Sequence, residues 1–376
     1  MSPKYGIKLA SLEGITIRPA RVVRHCRRLV TFICVVLCGW SGAATLQAPS
    51  KPAAQAPSQR APSCPIELAP KKFPVKTGRR NSRGHPFNHG IVPSGFVALA
   101  DKTPVVHGVD VSKWQSHADF KRIKECGGRF AYIRLSAGAL PDNELEYRVH
   151  WANARGSGLL PGPYHYLTVP LLDLPPDASA SEWSRLAALT LASASSQATL
   201  FAARLREVLS LEGKDPARTG SRPFLPVVLT IAAVSPHVRK PGDAAQYGPI
   251  YAAAACKWIE TVKQEIPSLN DKGTLLFTYP YIFKDYGFDA APCALKDLPV
   301  WIANFPETGE RFSSNAAQKA VEEALCLRTD GRNRCVFQLY SSFGGFAQFD
   351  SDEALDLDRF FGTEQEFTTW LQTISR

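Results

Sequence analysis

From Val105 onward, short apolar runs alternate with longer stretches whose apolar positions recur at helical spacing. Val105–Val111, Phe130–Ser136, Leu160–Val169, Leu225–Val234, Gly273–Tyr279, Leu298–Asn304 and Cys335–Tyr340 read as strands. Between them, Ala118–Cys126, Leu145–Gly156, Ser181–Leu211 and Tyr247–Glu265 read as helices, the first stopped by Gly127-Gly128 and the second ending on glycine. About seven β units separated by helices, with no G-x-G-x-x-G after the first strand, predict an irregular (β/α)-barrel, TIM-barrel-like, in one α/β domain. A dinucleotide fold is the poorer fit. The stretch between Tyr166 and Leu225 is longer than a barrel needs and has no role assigned by its pattern.

Upstream the pattern changes. Leu29–Trp40 is apolar, follows Arg24, Arg27 and Arg28, and precedes the small residues Ser41–Ala44. That order describes a secretory signal; extended to Ala48 it could instead be a membrane anchor. Residues 1–48 are therefore expected to direct export. Residues 49–104, rich in Pro, Ala, Ser, Lys and Arg, are expected to be a largely disordered linker.

The net charge of +10 resides upstream as well. Residues 1–50 carry seven Lys/Arg against Glu13, and residues 51–83 carry eight against Glu67, leaving the body at −3. A nucleic-acid protein would carry its basicity on the folded domain, so no nucleic-acid partner is expected. The basic tether suits an anionic membrane surface or a wall polymer, or is simply a solvated linker. A monomer is expected. Removing the leader leaves Cys64, Cys126, Cys256, Cys293, Cys326 and Cys335, an even number that suits disulfides in an exported chain. Cys326 and Cys335 flank a tight Asp330-Gly331 turn and form the expected pair. Cys256 lies in an Ala-rich helix and reads as a buried small residue. No metal-ligand spacing and no cofactor motif occurs, so neither is expected.

Candidate chemistry begins at Val105–Gln115, where a β-branched run ends in Asp110, Ser112, Lys113 and Trp114. A carboxylate at the end of a barrel strand is either an active-site acid or a cap for the next element. Aromatic residues at other strand ends, Tyr164, Tyr166, Tyr279 and Trp301, either wall a binding cleft or fill the core. His165 is either a substrate contact or a satisfied buried histidine.

Six segments, taken in order, resemble glycoside hydrolase family 25, the Chalaropsis-type lysozymes. They are Gly108–Gln115, Phe130–Arg134, Gly158–Tyr166, Leu275–Tyr281, Pro299–Asn304, and Phe337–Ser342 with Leu355–Phe360. The resemblance spans about two-thirds of the chain and implies a muramidase barrel over residues 105–376, acting on or binding peptidoglycan or a related glycan. By the same resemblance Asp110 is a catalytic carboxylate, Asp356 a second site carboxylate following the last strand, and Gln338 a sugar-contacting amide.

One departure qualifies what the resemblance implies. The family's fourth strand carries an Asp-x-Glu whose Glu is the acid; here Thr230-Ile231-Ala232 stands in its place, and nothing acidic occurs between Asp215 and Asp243. Glycosidic cleavage needs a proton for the leaving oxygen, and general acid catalysis contributes roughly 10²–10⁴-fold. Two readings follow: a muramidase with an acid relocated from elsewhere, for which Asp173, Asp285 and Glu307 are candidates, or a pseudoenzyme that keeps the cleft and binds without cutting.

Overall fold

The computed structural model describes residues 67–68, 96–99, 101–141, 145–169, 174, 177–212, 224–232, 241–269, 273–305, 311–312, 316–326, 333–344 and 355–374. The expected leader, most of the linker, and the candidates Asp173 and Glu307 lie outside these residues.

Two short strands, β1 (Glu67–Leu68) and β2 (Val97–Ala98), pair in parallel. Eight more close a barrel: β3 (Val105–Val111), β4 (Phe130–Ala137), β5 (Leu160–Tyr166), β6 (Val227–Ile231), β7 (Thr274–Thr278), β8 (Val300–Ala303), β9 (Cys335–Gly344) and β10 (Leu355–Phe361). From β3 to β9 each strand pairs in parallel with the next. β10 runs antiparallel to both β9 and β3 and closes the ring. The seven expected strands are present and the eighth is new. Leu355–Phe361 therefore forms part of the wall, and Asp356 lies inside a strand rather than in a loop after the last one.

A strand covered on both faces reads as an unbroken apolar run, and period 2 sorts its side chains. On β4, Ala131, Ile133 and Leu135 belong to the outer core under the helices, whereas Phe130 and Tyr132 fill the interior. Two glycines make that filling possible. A β-carbon at Gly108 would sit 2.3 Å from the Phe130 ring, and one at Gly162 would sit 2.4 Å from the Tyr132 ring.

The helices are α1 (Phe120–Glu125), α2 (Tyr147–Gly156), α3 (Ala180–Glu212), α4 (Pro241–Glu265), α5 (Pro280–Asp285), α6 (Ala316–Cys326) and α7 (Glu364–Ile374). The start of α1 is fixed by Asp119, which accepts from the Arg122 N–H at 2.9 Å. Capping boxes open two others: Ser179 with Glu182 ahead of α3, and Thr363 with Glu366 ahead of α7. At 33 residues, α3 is the expected long helix, and it fills most of the stretch whose role the pattern left open. It lies beside α4, with Trp183 against Tyr247 at one end and Arg206 bonded to Glu265 at the other. Phe201, Leu205 and Val208 on α3 are fully buried, so its apolar character serves the outer core.

At the end where β3 to β9 start, α7 plugs the barrel. Phe367 and Trp370 pack against Phe130, Phe337 and Phe360 in a run of ring contacts. The opposite end is the mouth. Cys326 pairs with Cys335 as expected, while Cys256 is half of a disulfide with Cys293. Cys126 is a half-cystine too, so every described cysteine is oxidised.

Candidate active site

Because β10 runs backwards, the beginning of β10 meets the end of β3. Asp356 pairs with Asp110 and Asp358 with Gly108, so alternation aims both β10 carboxylates inward beside Asp110. Directly opposed residues on antiparallel strands hold their β-carbons about 5 Å apart. Asp110 is buried, Asp358 is fully buried, and Asp356 is half-exposed nearer the mouth.

Two interior side chains hold this cluster. The Tyr164 hydroxyl donates to Asp110 Oδ1 at 3.1 Å, and the Trp301 indole N–H donates to Asp358 Oδ1 at 3.0 Å. Trp301 is fixed in turn by stacking on Tyr132 at 4.5 Å and by the edge of Phe277 at 4.8 Å. Burial pushes the Asp110 carboxyl well above the usual range, the Asp356 charge pushes it further, and the Tyr164 hydrogen bond and Arg134 oppose the rise. Asp358 is raised in the same way, by burial and then by Asp110 and Asp356. Each carboxyl feels the other, and Asp358 Oδ2 has no hydrogen-bond partner. Like charges so close cannot both ionise cheaply in a buried site.

Thr230 and Ala232 follow Val228 on the inward face of β6. Thr230 is buried between Tyr166 on β5 and Phe277 on β7, and Ala232 packs on the interior cluster one step nearer the mouth. Neither can carry a titrating proton.

The other sequence candidates separate into two groups. Tyr166 and Tyr279 are partly exposed at strand ends, where Tyr279 meets Tyr281 at 5.6 Å and Phe305 at 6.5 Å. Tyr164 and Trp301 point inward but are buried beneath the mouth, so they orient carboxyls instead of lining an open wall. His165 and Gln338 face outward, because each is out of phase with the inward positions of its strand. His165 bonds Ser136 Oγ at 2.8 Å and Gln197 Oε1 at 3.0 Å and stacks on Trp258 at 5.2 Å. Burial drives its pKa down to about 3, so it is a neutral packing residue of the barrel–helix layer. Gln338 donates to Asn304 and accepts from Arg359 Nε at 2.7 Å, tying β8, β9 and β10 together from outside. Neither meets the Asp110 cluster, contrary to the expected substrate contacts. Asp285 is exposed at the end of α5, where its charge is felt at Tyr281.

Three mouth residues were not singled out from sequence: Asp358, Arg134 and Tyr281. Arg134 follows Tyr132 on the inward face of β4, with its guanidinium 5.9 Å from the Tyr166 ring. Period-2 counting from Asp356 was the available signal for Asp358 once Leu355–Phe361 was read as a strand.

A carboxylate at the end of the first barrel strand, joined by two from a reversed last strand, is the geometry against which known proteins can be compared. The sequence profile of the glycosyl hydrolases family 25 matches residues 109–180. That stretch is similar to glycosyl hydrolase family 25. Lysozyme M1 of Streptomyces globisporus is 29% identical over 132 residues, covering 35% of this chain and 43% of that protein. The uncharacterized protein YegX of Escherichia coli (strain K12) is 36% identical over 86 residues, covering 22% of this chain and 29% of that protein. The chain thus spans less than half the length of these curated relatives. Among solved structures, a family 25 glycosyl hydrolase from Bacillus anthracis aligns with TM-score 0.45 and 18% identity, over 72% of this chain and 94% of that one. A family 25 lysozyme from Aspergillus fumigatus aligns with TM-score 0.42 and 18% identity, over 71% of this chain and 99% of that one. The profile match contains Asp110, Arg134 and Tyr164 and stops before Thr230-Ile231-Ala232, the segment that departs from the family pattern.

Proposed function

We propose that the barrel mouth binds a peptidoglycan-type glycan and does not cleave it by the family's route. The observation that carries this reading is the inward pair Thr230 and Ala232, which stands where the resemblance would put the acids and carries no titrating proton. Tyr166, Tyr279 and Tyr281 supply ring faces at the rim for sugar stacking, and Arg134 and Asp356 supply charged hydrogen-bonding groups among them. Export fits the disulfides and the apolar run Leu29–Trp40, and the basic residues 51–83 act as the tether.

A second reading has its own observation. Burial and neighbouring carboxylates raise the pKa of both Asp110 and Asp358, so one that stays protonated could deliver its proton to a glycosidic oxygen as the relocated acid. Paired-acid glycosidases, however, set two carboxyls about 5–5.5 Å or 6.5–9.5 Å apart to flank the bond, and Asp358 is fully buried beneath the mouth, out of a substrate's way. One experiment separates the readings. The full chain is incubated with purified peptidoglycan, and sedimented protein and new reducing ends are both scored. Co-sedimentation without reducing ends supports binding alone. Reducing ends that vanish in Asp110→Asn establish the second reading, and failure to sediment at all refutes both.

A further inference from the structure

At the end of the barrel opposite the carboxylates lies an open cavity of about 480 Å³. Its wall is built where strands begin: Lys124 from the last turn of α1, Arg129 just ahead of β4, Arg155 from the last turn of α2, and Glu364 from the first turn of α7. Leu159 and Phe367 form an apolar floor. Three cations therefore face one carboxylate. Glu364 is engaged by Arg129 at 2.9 Å, and the Arg155 guanidinium rests 5.9 Å from the Trp151 ring. Glu125, the other acid close in sequence, pairs with Lys121 and Arg122. The Lys124 stem crosses over Gly158, its ε-carbon 3.9 Å from where a β-carbon there would be, and this places the ammonium at the cavity. Partial burial and the neighbouring Arg129 charge lower the Lys124 pKa against a smaller opposing pull from Glu364. A cation held beside other cations on an apolar floor is stabilised by an incoming anion more than by water.

We propose that this cavity is a second binding site, for a phosphate-bearing amphiphile whose anionic group meets Lys124, Arg129 and Arg155 while its apolar part lies on Leu159 and Phe367. A phosphate offers three acceptor oxygens to three donors, and a carboxylate only two. The volume falls in the range of small-molecule sites. The site does not depend on the glycan reading, since it shares no residue with the mouth. Two sources present this chemistry: a soluble phosphoester, or the headgroup of an anionic lipid. The second gains support from composition, since residues 51–83 carry eight Lys/Arg against one acid.

The test titrates the full chain calorimetrically with hexyl phosphate, and with hexanol as the uncharged control. Binding of hexyl phosphate alone is expected. Lys124→Gln should weaken it about tenfold, the loss of one charge-assisted hydrogen bond. Glu364→Gln removes the competing carboxylate from an exposed position and should tighten it. A parallel arm sediments the same proteins with phosphatidylglycerol and with phosphatidylcholine vesicles. Loss of the phosphatidylglycerol preference in Lys124→Gln assigns the site to a headgroup, and an unchanged preference with weakened hexyl phosphate binding assigns it to a soluble phosphoester. Absence of hexyl phosphate binding, or the same affinity in wild type and both variants, overturns the proposal.

Discussion

Ala232→Glu returns a proton donor to the barrel mouth. Ala232 is on the inward face of β6, one step beyond Thr230 and only partly buried, so a glutamate there extends toward the space between Tyr166 and Tyr279 without displacing an interior ring. The negative charge of Asp356 and the burial of the site raise carboxyl pKa values here, as they do for Asp110, and a raised glutamate stays protonated as a general acid should. General acid catalysis is worth roughly 10²–10⁴-fold, or about 3–5 kcal/mol of barrier at 1.36 kcal/mol per tenfold. Release of reducing ends from peptidoglycan is therefore expected to rise at least a hundredfold over wild type, and Asp110→Asn added to Ala232→Glu should abolish the gain. Ala232→Gln controls for size, since the amide has the same reach and no acidic proton. If Ala232→Glu releases no more reducing ends than Ala232→Gln while both keep the wild-type melting temperature, the missing acid is not what limits hydrolysis.

Four further outcomes follow from the interior. His107 and His165 are buried and neutral, each with its pKa driven by burial down to about 3 from 6.5. Below pH 6.5 the unfolded chain takes up protons the folded one refuses, so stability falls as pH drops, by about 2 kcal/mol per histidine at pH 5; denaturant midpoints flat from pH 6.5 to 5 would contradict this. Asp110 and Asp358 act oppositely: raised from 3.8 in the fold, they contribute stability below that value that is lost as pH rises. Asp358→Asn keeps an acceptor for Trp301 and removes a buried charge, so it should raise the melting temperature at pH 8 more than at pH 5. Opening the Cys256–Cys293 disulfide by paired alanine substitution should cost about 4 kcal/mol in the loop-entropy account, against about 2.5 for Cys326–Cys335, since 37 and 9 residues separate the partners; denaturant unfolding of the two variants measures the order. Gly108→Ala drives a methyl into the Phe130 ring and should cost about 1–3 kcal/mol or more, read as a lowered melting temperature.

Seven of the eight barrel strands were visible in sequence because burial on both faces leaves a plain apolar run, as in Val227–Ile231. Leu355–Phe361 was not, because Asp356, Asp358 and Arg359 interrupt its apolar residues. The same polar residues form the cluster and its outer brace, so the chemistry hid the strand that carries it. Asp110 was legible from its place at a strand end. His165 and Gln338 misled because a motif records that a residue is present, and only the phase of its strand tells whether it faces the substrate or the helices. The Cys256–Cys293 pair joins α4 to a segment 37 residues on, which no local spacing reveals.

The reversed direction of β10 has a practical corollary. Seven parallel strands and one antiparallel strand mean that the chain comes into the barrel at Val105 and leaves it after Phe361 on the same side, away from Asp110. An all-parallel ring of eight would have released its last strand over the mouth. Here, anchoring the domain to a bead, a surface or a fusion partner by either flank leaves the mouth end of the barrel facing away from the attachment.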